Sequence, residues 1–578
     1  MSRYKTDREF LAGTLFKDGE YESIRQMLFR IAEHIPNDEI LCELDKDKNR
    51  ITWTARQLFE EVMNLGDGLL EEGLEGAHIA IVADNCCRYL IADMAISCGV
   101  GVVTPIDVEA TPELLETLLA KCDANAVLCS ARCLEALRKA QGGCPLLKTF
   151  ITIDKPAEGC LYYADIVAKG ASLCGKGRYR TLELDLDATV KILFTSGTTG
   201  ANKGVMLSQR NLAANMMNCL EIVKRAEGRN LDLAVLPMHH AIEINTHIMA
   251  RVGGGQLTCI NGNMKNMMTN IKIIKPETIT IVPMIINLFY RTIWANAEKS
   301  GKAEKLRKGI KLASLLRKFG IDITHRLFKE VYEPFGGNLN MIVCGGSMLN
   351  PNVVKGMNDL GIRVENGYGI TECGPLISMN ADPASDILSV GKPAPRFEVK
   401  ILSPDSEGVG DLCVKGPSVS CGYYKDEAAT REAFLPDGFF NTGDSARLEK
   451  DGRIVLVGRK KNTIILENGK NVCPEEVENA VEAGLDYATE AIVYQADYGS
   501  AAQARKCLVA CVWIPDEAAR ADRGRIEADV RRMNATLPVY KRIDYVELAS
   551  APLERTSSKK LIRKGLPSAC SRSGIEIL

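Results

Sequence analysis

The 578-residue chain has no apolar run that reaches the roughly 18 residues of a membrane-spanning helix, so no such span is expected. Its N-terminus, MSRYKTDREFLAGTLF, lacks the apolar core and small-residue cleavage site of a signal peptide. A cytoplasmic location is expected, with at most a weak peripheral membrane contact. An excess of one charge is also missing. Lys+Arg is 72 and Asp+Glu is 74, a formal charge of −2, which argues against nucleic acid as principal partner. The twenty cysteines include pairs at metal-ligand-like spacing, Cys129/Cys133 and Cys507/Cys511, but no histidine stands at zinc-finger spacing from them. Scattered over a long chain, they read as reduced, mostly buried thiols. Internal repeats and low-complexity segments are absent too.

What remains is the composition of an ordinary globular protein, with 46% hydrophobic and 25% charged residues. The length is too great for one core, so two or more domains are expected. Segment 55–73 has helical apolar spacing and ends on Gly73, 78–85 reads as a buried strand, and 89–100 as the next helix. The strand-like 101–107 and 125–130 continue the alternation, which predicts parallel sheets covered by helices. Stretch 302–333 predicts helix, with Leu306, Ile310, Ala313, Leu316, Phe319, Ile323, Leu327 and Val331 near one face. Nine Lys/Arg against three acids between 302 and 330 make the other face basic, either solvated or turned to a membrane or anionic ligand. Residues 404–452, rich in Gly, Pro and Asp, predict short strands and turns. In 453–466 two apolar runs flank four polar residues at 459–462, a candidate hinge. The expected domains are therefore 1–458 and 459–578. The first joins parallel-rich α/β sheets to a β-rich subdomain, and the second is a small, mobile α+β unit.

The most informative segment is 189–216, where the β-rich VKILF leads into TSGTTGANKG and a helix begins after Ser208. Hydroxyls at Thr195, Ser196, Thr198 and Thr199 can donate to phosphate oxygens. Gly197, Gly200 and Gly204 let backbone amides approach closely, and Lys203 adds a point charge. A Walker loop needs Gly before the lysine and Ser/Thr after it. Here Asn202 and Gly204 stand there, so that reading fails.

TSGTTGANKG resembles the signature loop of the adenylate-forming superfamily, which comprises acyl-CoA synthetases, peptide-synthetase adenylation domains and luciferase. Asn202 stands where that family usually has proline. Further segments match in order: CGGSMLN (344–350), VENGYGITECGP (364–375), FFNTGDSARLEKDGR (439–453), GRKKN (458–462) and APLERTSSKKLIRK (551–564). The resemblance implies an adenine pocket at Gly345, Gly346, Ser347, Asn366 and Gly369, with Tyr368 stacking on the base. It implies Thr371 at the α-phosphate, Glu372 holding Mg²⁺, and Asp444 and Arg459 at the ribose. Lys461 would be the hinge and Lys560 the catalytic lysine, with Lys559 beside it as the alternative.

LPMHHAIEINTHIMARVGGG (236–255) resembles the LPxxH–x–x–E pattern of long-chain acyl-CoA synthetases, with His240 and Glu243 in place. That pattern puts His240 beside the acyl pocket. The basic stretch at 302–333 and YKRIDYVEL (540–548) resemble bacterial long-chain members. The implied reaction uses ATP and Mg²⁺ to make an acyl-AMP from a carboxylic acid, fatty or otherwise apolar, and then a CoA thioester. An aryl, bile or other bulky acid stays open. So do a carrier protein as acceptor in trans and a non-catalytic nucleotide- or acyl-binding derivative of the fold.

Overall fold

The computed structural model describes residues 4–195, 202–226, 231–380, 389–467, 470–485, 487–498, 505–555, 561–563, 565–571 and 573–577. The expected alternation appears nearly where the periodicity put it. Helix Ala55–Glu71 starts on a reciprocal cap between Thr54 and Gln57 and buries Leu58, Val62, Leu65 and Leu69. Strand Ala77–Val82, helix Cys87–Ala95 and strands Gly101–Pro105 and Ala126–Cys129 follow. Being buried on both faces, these strands are apolar except for His78 and Thr104, instead of alternating.

Two large sheets carry the N-terminal part. The seven-stranded one is parallel except at its edge, where Thr189–Thr195 meets Lys203–Ser208 antiparallel. The nine-stranded one has a parallel centre, running through Arg363–Gly369, Met341–Gly345, Thr278–Ile281, Asp232–Ala234 and Thr258–Ile260 to Glu39–Leu44. Its core cluster draws on both sheets and on the helices between them, including Ile79, Ile81, Leu193, Ala234 and Leu376. Helix Gln209–Ile222, capped by Ser208 with Asn211, lies in this layer. A four-stranded antiparallel sheet spans Glu398 to Arg459. Beyond it, strands Glu490–Tyr498, Arg505–Trp513, Tyr545–Leu548 and Ile575–Glu576 pack with helices Pro474–Gly484 and Arg523–Asn534 around a separate core.

The 302–333 stretch differs from its expectation. Helix Ala303–Arg317 ends before the apolar series is complete. Gly320 takes φ +76°, and the Asp322 carboxylate accepts from the Thr324 N–H at 2.9 Å, which starts a new turn. The single face is therefore cut: Ala313 is buried, whereas Phe319 is 73% exposed. All twenty cysteines are free thiols, most of them buried. Among the described residues no helix is long and apolar enough to cross a membrane.

Candidate active site

The edge hairpin places Lys203 directly opposite Thr195, whose hydroxyl donates to the Lys203 carbonyl at 3.5 Å. Ser196, Gly197, Thr198, Thr199 and Gly200, which belong to the same loop, lie outside the described residues, as do Lys559 and Lys560. The strand after the loop is tied to segment 421–424. Met206 N–H donates to the Gly422 carbonyl at 2.9 Å, and Tyr424 N–H to that of Gly204 at 2.7 Å. This register sets the Tyr423 ring 4.7 Å from the Lys203 ammonium. The Tyr423 hydroxyl in turn donates to Glu372 Oε1 at 2.9 Å. Burial, then the nearby Glu372 charge, push the Tyr423 hydroxyl well above its ordinary pKa, so it stays a donor.

Glu372 sits in the turn Thr371–Cys373, directly after strand Arg363–Gly369. Gly369 is required where the chain doubles back, since a Cβ there would lie 1.9 Å from the Pro375 carbonyl oxygen. The far end of the turn is held by Asn215, whose Oδ1 accepts from Leu376 N–H at 2.9 Å. Next to this strand, Met341–Gly345 delivers Gly345 opposite Gly367, and Gly346 follows at φ +92°. Ser347 is exposed and Asn366 half-buried.

Tyr368 is buried, and its hydroxyl donates to Asp444 Oδ2 at 2.7 Å. Asp444 Oδ1 meets Arg459 Nε at 2.8 Å, because the two residues face each other across an antiparallel strand pair. Burial works against the Arg459 cation, but the Asp444 carboxylate overcomes this and raises its pKa. Tyr368, Asp444 and Arg459 thus form one connected group. Lys461 is exposed in the turn Lys460–Asn462. The stretches flanking Lys560 are anchored: Arg555 Nε lies 3.0 Å from Glu490, and Arg563 Nη2 lies 2.6 Å from Glu478.

His240 stands two residues before the π-helical segment Ile242–Ile248, with its ring centroid 4.1 Å from that of His239. Beside Gly345 and Gly346 a cavity runs between this segment and the nine-stranded sheet. It is lined by Ile242, Thr246, Val343, Leu376 and Met379 among others, with Gly345, Gly346 and Gly369 at its mouth. His240 is not among the lining residues. Glu243 points inward instead: Oε1 accepts from Leu236 N–H at 3.0 Å and Oε2 faces His247 Nδ1 at 3.1 Å. His247 Nε2 is 2.6 Å from Asp232 Oδ2. Burial alone would depress His247, but the two carboxylates override it and raise its pKa to about 9.

Sequence reading did not single out Tyr423, Asn215, Asp232, His247 or Arg251. The i, i+4, i+8 series Glu243, His247, Arg251 was a usable signal for the last two, since it puts them on one helical face. Nothing local marks Tyr423 or Asn215.

A basic hairpin edge, an acidic turn beside it, a Tyr–Asp–Arg group and an apolar cavity fit an enzyme of the adenylate-forming class. The chain belongs to the AMP-binding enzyme family, which matches residues 28–424. Relatives include peroxisomal long chain acyl-CoA synthetase 6 of Arabidopsis thaliana, 29% identical over 75% of this chain and 65% of its own length. Fatty acyl-CoA synthetase B of Dictyostelium discoideum is 27% identical over 83% of this chain and 76% of its own. Long-chain-fatty-acid–CoA ligase 6 of Mus musculus is 28% identical over 79% and 70%. Among solved structures, the adenylation domain of a Mycobacterium chelonae carboxylate reductase superposes with TM-score 0.77 at 19% identity, covering 96% of this chain and 90% of that one. ATP-bound MatB from Rhodopseudomonas palustris gives 0.72 at 19% identity, covering 93% and 97%. Both show the fold.

Proposed function

We infer that this protein activates a carboxylic acid with ATP to an acyl-AMP and then transfers the acyl group to CoA, with a fatty acid as the favoured substrate. The observation that carries this reading is that Tyr423 links Lys203 to Glu372, while Glu372 and the Asp444 partner Tyr368 stand on the strand and turn whose Gly367, Gly369 and Pro375 line an apolar cavity. The acid's carboxylate attacks the α-phosphorus, the bond to pyrophosphate breaks, and pyrophosphate leaves. The CoA thiol then attacks the acyl carbonyl, loses its proton, and AMP departs. Both reactants of the first step are anionic, so cations must offset their repulsion, commonly the largest catalytic contribution.

Lys203 serves the outer phosphates and Lys560 the α-phosphate and carboxylate in this reading, while Thr371 donates to the α-phosphate. Tyr368 stacks on adenine, and Asp444 and Arg459 hold the ribose. Mg²⁺ fits Glu372: Tyr423 takes only Oε1, and oxygen donors beside a phosphate loop suit a hard cation. When bound, it would supply further charge neutralisation. Residues 459–578 move as a unit about Lys461. The exposed Leu315, Phe319 and Ile321, among basic residues, would give weak contact with a lipid surface that supplies the acid. Acid-dependent pyrophosphate release, followed by thioester formation across a panel of acids, tests the reading. Release without any acceptance of CoA, but with transfer to a phosphopantetheinylated carrier, would reassign the second step.

A further inference from the structure

The cavity floor is one face of the nine-stranded sheet. Side chains alternate along a strand, and Thr280 and Val343 line the cavity. Asp232 stands two residues before Ala234, which pairs with Thr280, so it lies on the same face, deeper in. The level of Asp232 passes through Thr278 to Met341, four residues below Gly345 at the mouth. At strand rise that is about 13 Å. The facing helical wall presents Ile242, Thr246 and Ala250, then His247 and Arg251 at the depth of Asp232. The cavity is therefore apolar along its length and ionic at its base.

The charges at that base are unevenly served. Asp232, Glu243, His247 and Arg251 are all at most 5% exposed. His247 lies between the two carboxylates, 2.6 Å from Asp232 and 3.1 Å from Glu243. Arg251 comes second: its Nε is 3.9 Å from Asp232, beyond hydrogen-bond reach. Among the described residues its guanidinium makes one hydrogen bond, from Nη1 to the neutral Gln256 Oε1 at 2.9 Å. A guanidinium has five N–H donors, and a buried cation with donors unused is unfavourable unless something supplies acceptors. The cavity that Arg251 lines is the place from which an acceptor can come.

We propose that Arg251 is a specificity-determining residue that recognises an oxygen at the far end of the acid. The preferred substrates are then apolar acids whose distal end carries a hydroxyl or a second carboxylate, ahead of the unsubstituted acid of equal length. The proposal rests on the acid-activation reading and deepens it. The oxygen accepts from the free N–H groups of Arg251, while the chain between the two ends lies along Ile242, Val343, Leu376 and Met379.

The test measures kcat/KM for acid-dependent pyrophosphate exchange with matched sets of unsubstituted, ω-hydroxy and α,ω-dicarboxylic acids across several chain lengths. In the wild type, at least one length should show a tenfold or greater preference for an oxygenated acid. Arg251→Met should reverse that preference, mainly through KM, and its turnover of unsubstituted acid reports that it is folded. Gln256→Glu, which pairs Arg251 internally while keeping the cation, should erase the preference without reversing it. This variant decides the matter should Arg251→Met fail to fold. A wild type that favours unsubstituted acids at every length, or variants that leave the ratio unchanged, would overturn the proposal alone. Failure to activate any acid would reject the underlying reading and this proposal with it.

Discussion

Asp444 accepts from the Tyr368 hydroxyl and faces the Arg459 guanidinium while lying 5% exposed, so its carboxylate is fixed before any nucleotide arrives. Replacing it with alanine should remove the charged acceptor proposed for the ribose, an expected loss of about 1.5–3 kcal/mol in ATP binding. The preference for ATP over 2′-deoxy-ATP should collapse in Asp444→Ala. An unchanged ratio in competition kinetics would make this aspartate a fold residue only. Tyr423 allows a sharper experiment, because Tyr423→Phe keeps the ring beside Lys203 and deletes only the bond to Glu372. We expect the Mg²⁺ concentration for half-maximal exchange to rise roughly tenfold, about 1.4 kcal/mol, and thermal stabilisation by MgATP to weaken in parallel. A variant with wild-type Mg²⁺ dependence would show that the hydroxyl does not position Glu372. These residues also mark what sequence could disclose. TSGTTGANKG was legible because its chemistry is contiguous. Tyr423 meets Glu372 across 51 residues and Asn215 meets Leu376 across 161, so their roles exist only once the strands are registered.

At the scale of elements, helical and parallel-strand segments were readable because burial imposes a period or an unbroken apolar run. Stretch 302–333 was misread past Arg317 because the apolar spacing continues through a turn made by Gly320 and Asp322. The segment Ile242–Gly253 teaches the opposite lesson. Its i, i+4, i+8 charged series went unread in the sequence, yet Glu243, His247 and Arg251 are buried against Asp232. Folding raises the proton affinity of His247 from an ordinary 6.5 to about 9, so between those values the folded chain holds more protons than the unfolded one. The stability this cluster contributes is complete below pH 6.5 and is lost as pH rises through about 9, by roughly 3 kcal/mol. Thermal unfolding between pH 6.5 and 9.5 should show this decline. His247→Gln should start lower and lose less over the same interval. Parallel declines in the two proteins would mean that His247 is not protonated in the fold.

For the whole molecule, the boundary at 458/459 was suggested by a polar break between apolar runs. The structure keeps Arg459 in the strand before the break and puts Lys460–Asn462 in a turn that leads toward a separately built core. Among the described residues, contacts across the boundary include Arg291 donating to the Ala488 carbonyl and Lys460 Nζ donating to Asp411 Oδ2 at 2.7 Å. One small domain cannot present the Lys560 loop to the α-phosphate and also open a path for a thiol to the acyl carbonyl. Two poses related by rotation at very few residues would resolve the conflict, as proposed above. Lys461→Pro fixes φ near −65° and removes a backbone donor, without altering any group assigned to ATP, acid or metal. Adenylation should survive within roughly tenfold, whereas conversion of supplied acyl-AMP and CoA to thioester should fall much further. Lys560→Ala should give the reverse, losing two or more orders of magnitude in adenylation while largely sparing the thiol step. Measuring both half-reactions in both variants crosses the two effects. Equal losses in Lys461→Pro would report local misfolding, and no loss in either half-reaction would move the pivot away from residue 461.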